Sequence, residues 1–130
     1  MYLRLFITTL LFIALSAPAC KKGGSNTTGQ FTGKVVVMAC GTIVVDIAGA
    51  TGTGGGATWV SGSTTYNNAI RVDNYCYVVQ KGIQQGDTIS FNTSKDNISP
   101  GKSCATPLCT FLGPGPSNAT FITDVQKVSP

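Results

Sequence analysis

The sequence has no histidine and no glutamate, and charged residues make up only 11% of its 130 positions. Those two absences remove the commonest general base and half of the carboxylate repertoire, so acid–base chemistry would fall to the five aspartates. Glycosidase-type hydrolysis needs two such carboxylates facing one cleft. Strand alternation instead puts Asp46, Asp73 and Asp124 at solvent-side positions, and Asp87 and Asp96 belong to turns or loops. The pattern therefore predicts a protein that is not an enzyme and carries no cofactor. Clustered basic residues are lacking as well. Beyond residue 19 the chain has seven lysines and one arginine against five aspartates, a net charge of +3 spread along its length. A nucleic-acid footprint needs basic side chains gathered on one face, so no nucleic-acid partner is expected.

Long apolar runs are also missing. The longest, Leu5–Leu15, is 11 residues, against the roughly 20 that a membrane-spanning helix requires. With Arg4 before it and Ala17-Pro18-Ala19 after it, the run reads as a cleavable export signal over residues 1–19. Cys20 follows immediately, then a polar Lys/Gly/Ser/Asn/Thr tract to Gln30. Small residues directly before a cysteine resemble a bacterial lipobox, which implies a lipidated N-terminus at Cys20. Residues 20–30 then form a flexible tether with a root-mean-square reach of about 17 Å, and residues 31–130 form one β domain. The string Ala19-Cys20-Lys21-Lys22 followed by Gly, Ser and Asn resembles the N-termini of small lipoproteins of the Bacteroidota. That resemblance implies a lipid-anchored protein of the bacterial cell envelope, in the outer membrane, facing either the periplasm or the exterior. The alternative is a soluble secreted protein whose Cys20 is free or pairs between chains.

What is abundant is the material of strands and turns. Gly33–Cys40 is a β-branched run. Thr42–Ile47 alternates, with Ile43, Val45 and Ile47 on one face and Val44 and Asp46 on the other. Cys40-Gly41 reads as a tight connection between these two runs. Residues 57–61 make a short edge strand. Ala69–Val79 begins with Ile70 and Val72 inward and Arg71 and Asp73 outward, then continues past a bulge at Asn74. Gly82–Gly86 is a turn, Asp87–Asn92 places Ile89 and Phe91 on the core side, 93–117 is a Pro/Gly/Ser-rich loop, and Ala119–Val128 closes the chain. No stretch holds a helical period beyond one or two turns. The fold class is all-β. The order of a G-K-V-V-V strand, a tight turn into T-I-V-V-D-I, a third strand, a G-D-T-I-S-F strand and a terminal I-T-D-V strand resembles a small OB-like barrel of five or six strands. An immunoglobulin-like β-sandwich is the competing architecture.

Cys40, Cys76, Cys104 and Cys109 form an even set in an exported chain, where disulfides persist, and allow three connectivities. The favoured one joins Cys40 to Cys76 and Cys104 to Cys109. A four-cysteine zinc site is disfavoured because no C-x-x-C pair is present, so no metal is expected. Gly52-Thr53-Gly54-Gly55-Gly56-Ala57 matches a dinucleotide fingerprint in letters only, because no helical run follows to aim amides at a pyrophosphate. A flexible surface loop is the better reading. Asp87-Thr88-Ile89 resembles an O-glycosylation acceptor of the Bacteroidota, although a turn leading into a strand accounts for the same residues.

The remaining lead is aromatic. Trp59, Tyr66, Tyr75 and Tyr77 fall in the middle third, with Arg71 and Lys81 near them in sequence. On an OB-like barrel the third strand lies on the ligand-binding face, and Tyr and Trp there would offer stacking surfaces with polar tips. Trp59, Tyr66, Arg71, Tyr75 and Tyr77 are accordingly the candidate ligand-binding residues, with Trp59 the first choice for exposure. The function expected is a non-catalytic binding module for a glycan, peptide or envelope protein. A structural accessory subunit of an envelope complex is one alternative. An inhibitor of a secreted hydrolase is another, since Ser61–Tyr66 (SGSTTY) is loosely similar to the Ser-Gly loop of lipoprotein lysozyme inhibitors.

Overall fold

A computed structural model describes residues 30–107, 109 and 114–128. The expected signal sequence, Cys20 and all of the expected tether before Gln30 lie outside these residues. Within them the alternation of β-branched and polar residues forms six strands: β1 (Phe31–Ala39), β2 (Thr42–Ile47), β3 (Ala57–Ser61), β4 (Thr64–Val72), β5 (Thr88–Ser94) and β6 (Ala119–Lys127). One short helix, α1 (Tyr75–Gln80), and one 3-10 turn (Thr53–Gly55) interrupt them. The fold is all-β, as the composition implied.

All six strands belong to one sheet. β1 pairs antiparallel with β2 on one edge and with β5 on the other. β2 continues to β4, and β5 to β6, again antiparallel. β4 and β6 then meet in parallel through Arg71↔Ala119 and Val72↔Thr120. The pairings of β1, β2, β4, β6 and β5 therefore return on themselves. β3 stands outside this circuit as a hairpin on β4, sharing with β6 the same edge of that strand. Extra residues in β1, β4 and β6 break the register in three places, and such bulges supply the local bend that a curved sheet needs.

The inner face holds the main core: Val35, Ile43, Val45, Ile47, Ile70, Val72, Ile89, Phe91, Ile122 and Val125, joined by Val78 from α1 and by Ile83. Ile43, Val45, Ile47, Ile70, Val72, Ile89 and Phe91 thus point where the alternation placed them. Each fully buried aliphatic side chain contributes about 1.5–3 kcal/mol relative to exposure. Val44 departs from the alternation. It is fully buried although it faces away from this core, because a second apolar cluster covers the outer face of β2.

The strand expected over Ala69–Val79 ends at Val72, and its start moves back to Thr64. The reason is Asn74, which is 3% exposed. Asp73 still donates to the Thr120 carbonyl as a strand residue would. One residue later the Asn74 side-chain amide replaces the backbone: its Nδ2 donates to the Ile122 carbonyl at 2.7 Å and its Oδ1 accepts the Ile122 N–H at 3.0 Å. The ladder against β6 is thereby extended by a side chain while the main chain turns away into α1. The helix then seats Val78 in the core, and the Tyr77 hydroxyl accepts the Val125 N–H.

The disulfides correct the expected connectivity. They join Cys40 to Cys109, with Cα atoms 5.3 Å apart, and Cys76 to Cys104, with Cα atoms 5.5 Å apart. Cys76 does not lie on a strand beside Cys40, because the chain has already left the sheet. Cys104 and Cys109 do not close on each other, because the segment carrying them runs from α1 to the β1–β2 turn. Along the way Asn74 donates to the Ser99 carbonyl, and Gln80 exchanges two hydrogen bonds with the Lys102 backbone at 2.7 and 2.9 Å. The described residues after β5 are therefore fastened as a strap.

On the chain-entropy scale the bridge spanning 69 residues is worth about 4 kcal/mol and the one spanning 28 about 3.5 kcal/mol. Non-reducing proteolytic mapping should recover linked peptides Cys40/Cys109 and Cys76/Cys104. Replacing Cys40 and Cys109 together by alanine should lower unfolding stability by about 4 kcal/mol in denaturant titration.

Candidate functional site

The five residues expected to line a binding face separate into two aromatic pairs and a lone arginine. Trp59 and Tyr66 are cross-strand partners on the β3–β4 hairpin, stacked with ring centroids 5.5 Å apart and planes 20° apart. The bulge that inserts a residue in β4 between Tyr66 and Ala69 leaves both on the same face as Trp59. With Val44, Val36 and Val37 they form the outer cluster. Tyr75 and Tyr77 lie on α1 and pack against the main core instead. Arg71 is half-buried on β4 and bonded through Nε to Asp73 Oδ1 at 3.1 Å.

Trp59, the first choice for exposure, is only 9% exposed, which corrects that expectation. Its indole N–H donates to the Pro114 carbonyl at 3.1 Å. Gly115 lies over the Arg71 side chain and Thr42. The strap returning toward β6 thus covers the outer face of β2 and β4, the face on which ligand contacts were expected. Trp59 serves as part of this second core, with its single polar atom satisfied, as buried indoles usually are.

The glycine-rich run between β2 and β3 is also different from a flexible loop. Asn68, 1% exposed on β4, donates to the carbonyls of Ile47 and Thr53 and accepts the Gly52 N–H. Gly56 lies so close that a Cβ there would sit 2.6 Å from the Asn68 carbonyl oxygen. Asn118 adds a bond to the Gly55 carbonyl. The backbone amides that a phosphate site would need are not gathered here around a helix N-terminus.

Polar chemistry is scattered. Asp46 accepts the Asn68 N–H, Asp73 pairs with Arg71, Asp87 with Lys127 at 2.7 Å, and Asp124 accepts from Asn92 at 2.9 Å. Among the described residues no group of three or more His, Cys, Asp or Glu side chains could hold a metal ion, and no helix is long and apolar enough to cross a membrane. The Lys127 ammonium beside Asp87, aided by the Gln84 N–H, holds that carboxyl below its ordinary value.

Two surface features remain, the first of them not anticipated from the sequence. One is an open groove of about 420 Å³ beside α1, lined by Met38, Tyr75, Val79, Gly82, Ile83, Gln84 and Gln85. The other is the β3–β4 hairpin, whose tip Gly62–Thr65 is exposed and whose Val60 is 59% exposed. Val60 carried a signal, since alternation with Trp59 leaves only one of the two able to face the cluster. Val60, Val79, Ile98 and Val128 are the large exposed apolar side chains among the described residues. No protein-family model, curated protein or solved structure matches this chain.

Two outcomes check this geometry. Trp59 is the only tryptophan, so native fluorescence should be blue-shifted and weakly quenched by acrylamide, and Trp59→Ala should cost about 3–5 kcal/mol in denaturant titration. A strongly quenched, red-shifted native emission would contradict its burial. The second concerns acid. A carboxyl whose folded pKa is depressed stabilises the fold above its unfolded value, about 3.9, and that contribution disappears as pH falls through the folded value. Asp87→Asn should therefore lower stability at neutral pH and flatten its decline below about pH 4, measured by thermal unfolding across pH.

Proposed function

We propose that this chain is an exported lipoprotein of the bacterial cell envelope, anchored in the outer membrane through acylated Cys20. Its OB-like body acts as a non-catalytic binding module for a glycan, peptide or protein. The observation that carries the anchoring is the cysteine pairing: two bridges use Cys40, Cys76, Cys104 and Cys109, four of the five cysteines in the chain. The fifth, Cys20, stands directly behind an export signal and ahead of a polar tract. Acylation gives that sulfur a role.

The OB-like reading is supported by the closed order β1-β2-β4-β6-β5, by its single parallel pairing between β4 and β6, and by a helix between the third and fourth strands of that circuit. One sheet closing on itself favours the barrel over a sandwich of two facing sheets. The non-catalytic reading is supported by four aspartates held by separate local partners on different elements. Because the strap occupies the outer face of β2 and β4, the binding surface moves to the projecting hairpin. Its exposed tip within Ser61–Tyr66 also favours a second reading, a hydrolase inhibitor that inserts this loop into an enzyme cleft.

Intact mass and thiol counting on membrane-extracted protein test the anchor. The expected species begins at Cys20, carries acyl mass there and has no free thiol in its body. A soluble species without acyl mass, or one with Cys20 bridged to another cysteine, would overturn the proposal.

A further inference from the structure

Among the described residues β3 pairs only with β4, which leaves its second edge without a strand partner there. The direction of its backbone groups follows from the turn. Gly62-Ser63 is a two-residue hairpin loop with Gly62 at φ 59°, and in such a loop the flanking residues, here Ser61 and Thr64, exchange both hydrogen bonds. The Trp59↔Tyr66 and Ala57↔Ala69 pairs then continue the bonded positions toward β4. The N–H and C=O groups of Thr58 and Val60 are left pointing away from the sheet, and both residues are exposed.

Proteins usually guard such an edge with lysine, proline or an inward charge. Ala57-Thr58-Trp59-Val60-Ser61 has none of these. The strand is instead complementary to itself. Laid antiparallel against its own copy about an axis through Trp59, Thr58 of one chain faces Val60 of the other, and the reciprocal pair follows by symmetry. Each of these pairs exchanges two main-chain hydrogen bonds, four in all, and no like charges meet. The exposed Val60 side chain is covered by the same contact. Because Trp59 and Tyr66 lie on the opposite face of the hairpin, under the strap, neither core is disturbed.

We propose that the second edge of β3 is a docking site for a second copy of this chain, forming a two-fold dimer through antiparallel β3–β3 pairing centred on Trp59. The geometry is independent of the lipid anchor, so it is tested on the mature chain from residue 20 carrying Cys20→Ser.

Sedimentation equilibrium over a concentration series should show a monomer–dimer equilibrium. Amide hydrogen exchange should slow with concentration at Thr58 and Val60 and stay constant at Trp59 and Ser61. Val60→Pro removes one outward N–H that β4 does not use, and should weaken dimerisation at least tenfold while Trp59 emission keeps its folded position. Thr58→Glu combined with Val60→Lys sets a carboxylate opposite an ammonium at both paired positions, and should dimerise more tightly than Val60→Lys alone. A chain that stays monomeric throughout, concentration-dependent protection confined to other amides, or a Val60→Pro dimer of unchanged affinity would overturn the proposal.

Discussion

The architecture depends on how β4 and β6 are joined. These two strands close the circuit of pairings, yet their backbone register covers only Arg71↔Ala119 and Val72↔Thr120. The Asn74 carboxamide completes the join by presenting a donor and an acceptor to Ile122, as a strand residue would. Both Ile122 groups sit in the interior, where an unpaired backbone polar atom costs about 1–3 kcal/mol. One side chain therefore lengthens the closing seam and frees the main chain to enter α1. The helix can then bring Val78 to the core, Tyr77 to β6 and Cys76 to the strap.

The strap is the second constraint. From Ser99 to Cys104 it is bonded to α1, and through Cys109 it is tied to the β1–β2 turn. At Pro114 it accepts the Trp59 indole N–H. A long connection of this kind would lose much entropy on ordering, and the two bridges reduce that loss by restricting the unfolded chain. The outer face of β2 and β4 becomes a second small core, and the exposed features left are the hairpin of β3 and β4 and the groove beside α1.

The all-β class and the inward residues of β2 and β5 were legible because period-two alternation records burial on one side of a sheet. Val44 was not, since its partner on the outer face, Trp59, arrives from a hairpin that alternation cannot place in space. α1 was hidden by composition: Tyr75-Cys76-Tyr77-Val78-Val79 has the β-branched and aromatic content of a strand, and tertiary bonding by Asn74 decided against that propensity. Cysteine pairing was not legible because it depends on where the strap runs, and proline, glycine and serine specify turns without a destination. Of the candidate aromatic residues, Trp59 and Tyr66 stack as cross-strand partners, and the burial of Trp59 depends on the same strap.

Native-state amide exchange on Asn74→Ala is the most direct test of the seam. If the carboxamide completes the β4–β6 closure, the substitution destabilises the fold by about 3 kcal/mol. The amides of Ile122, Arg71 and Asp73 then lose more protection than those of the β1–β2 ladder. Uniform loss across all strands, or unchanged protection at Ile122, would contradict the account.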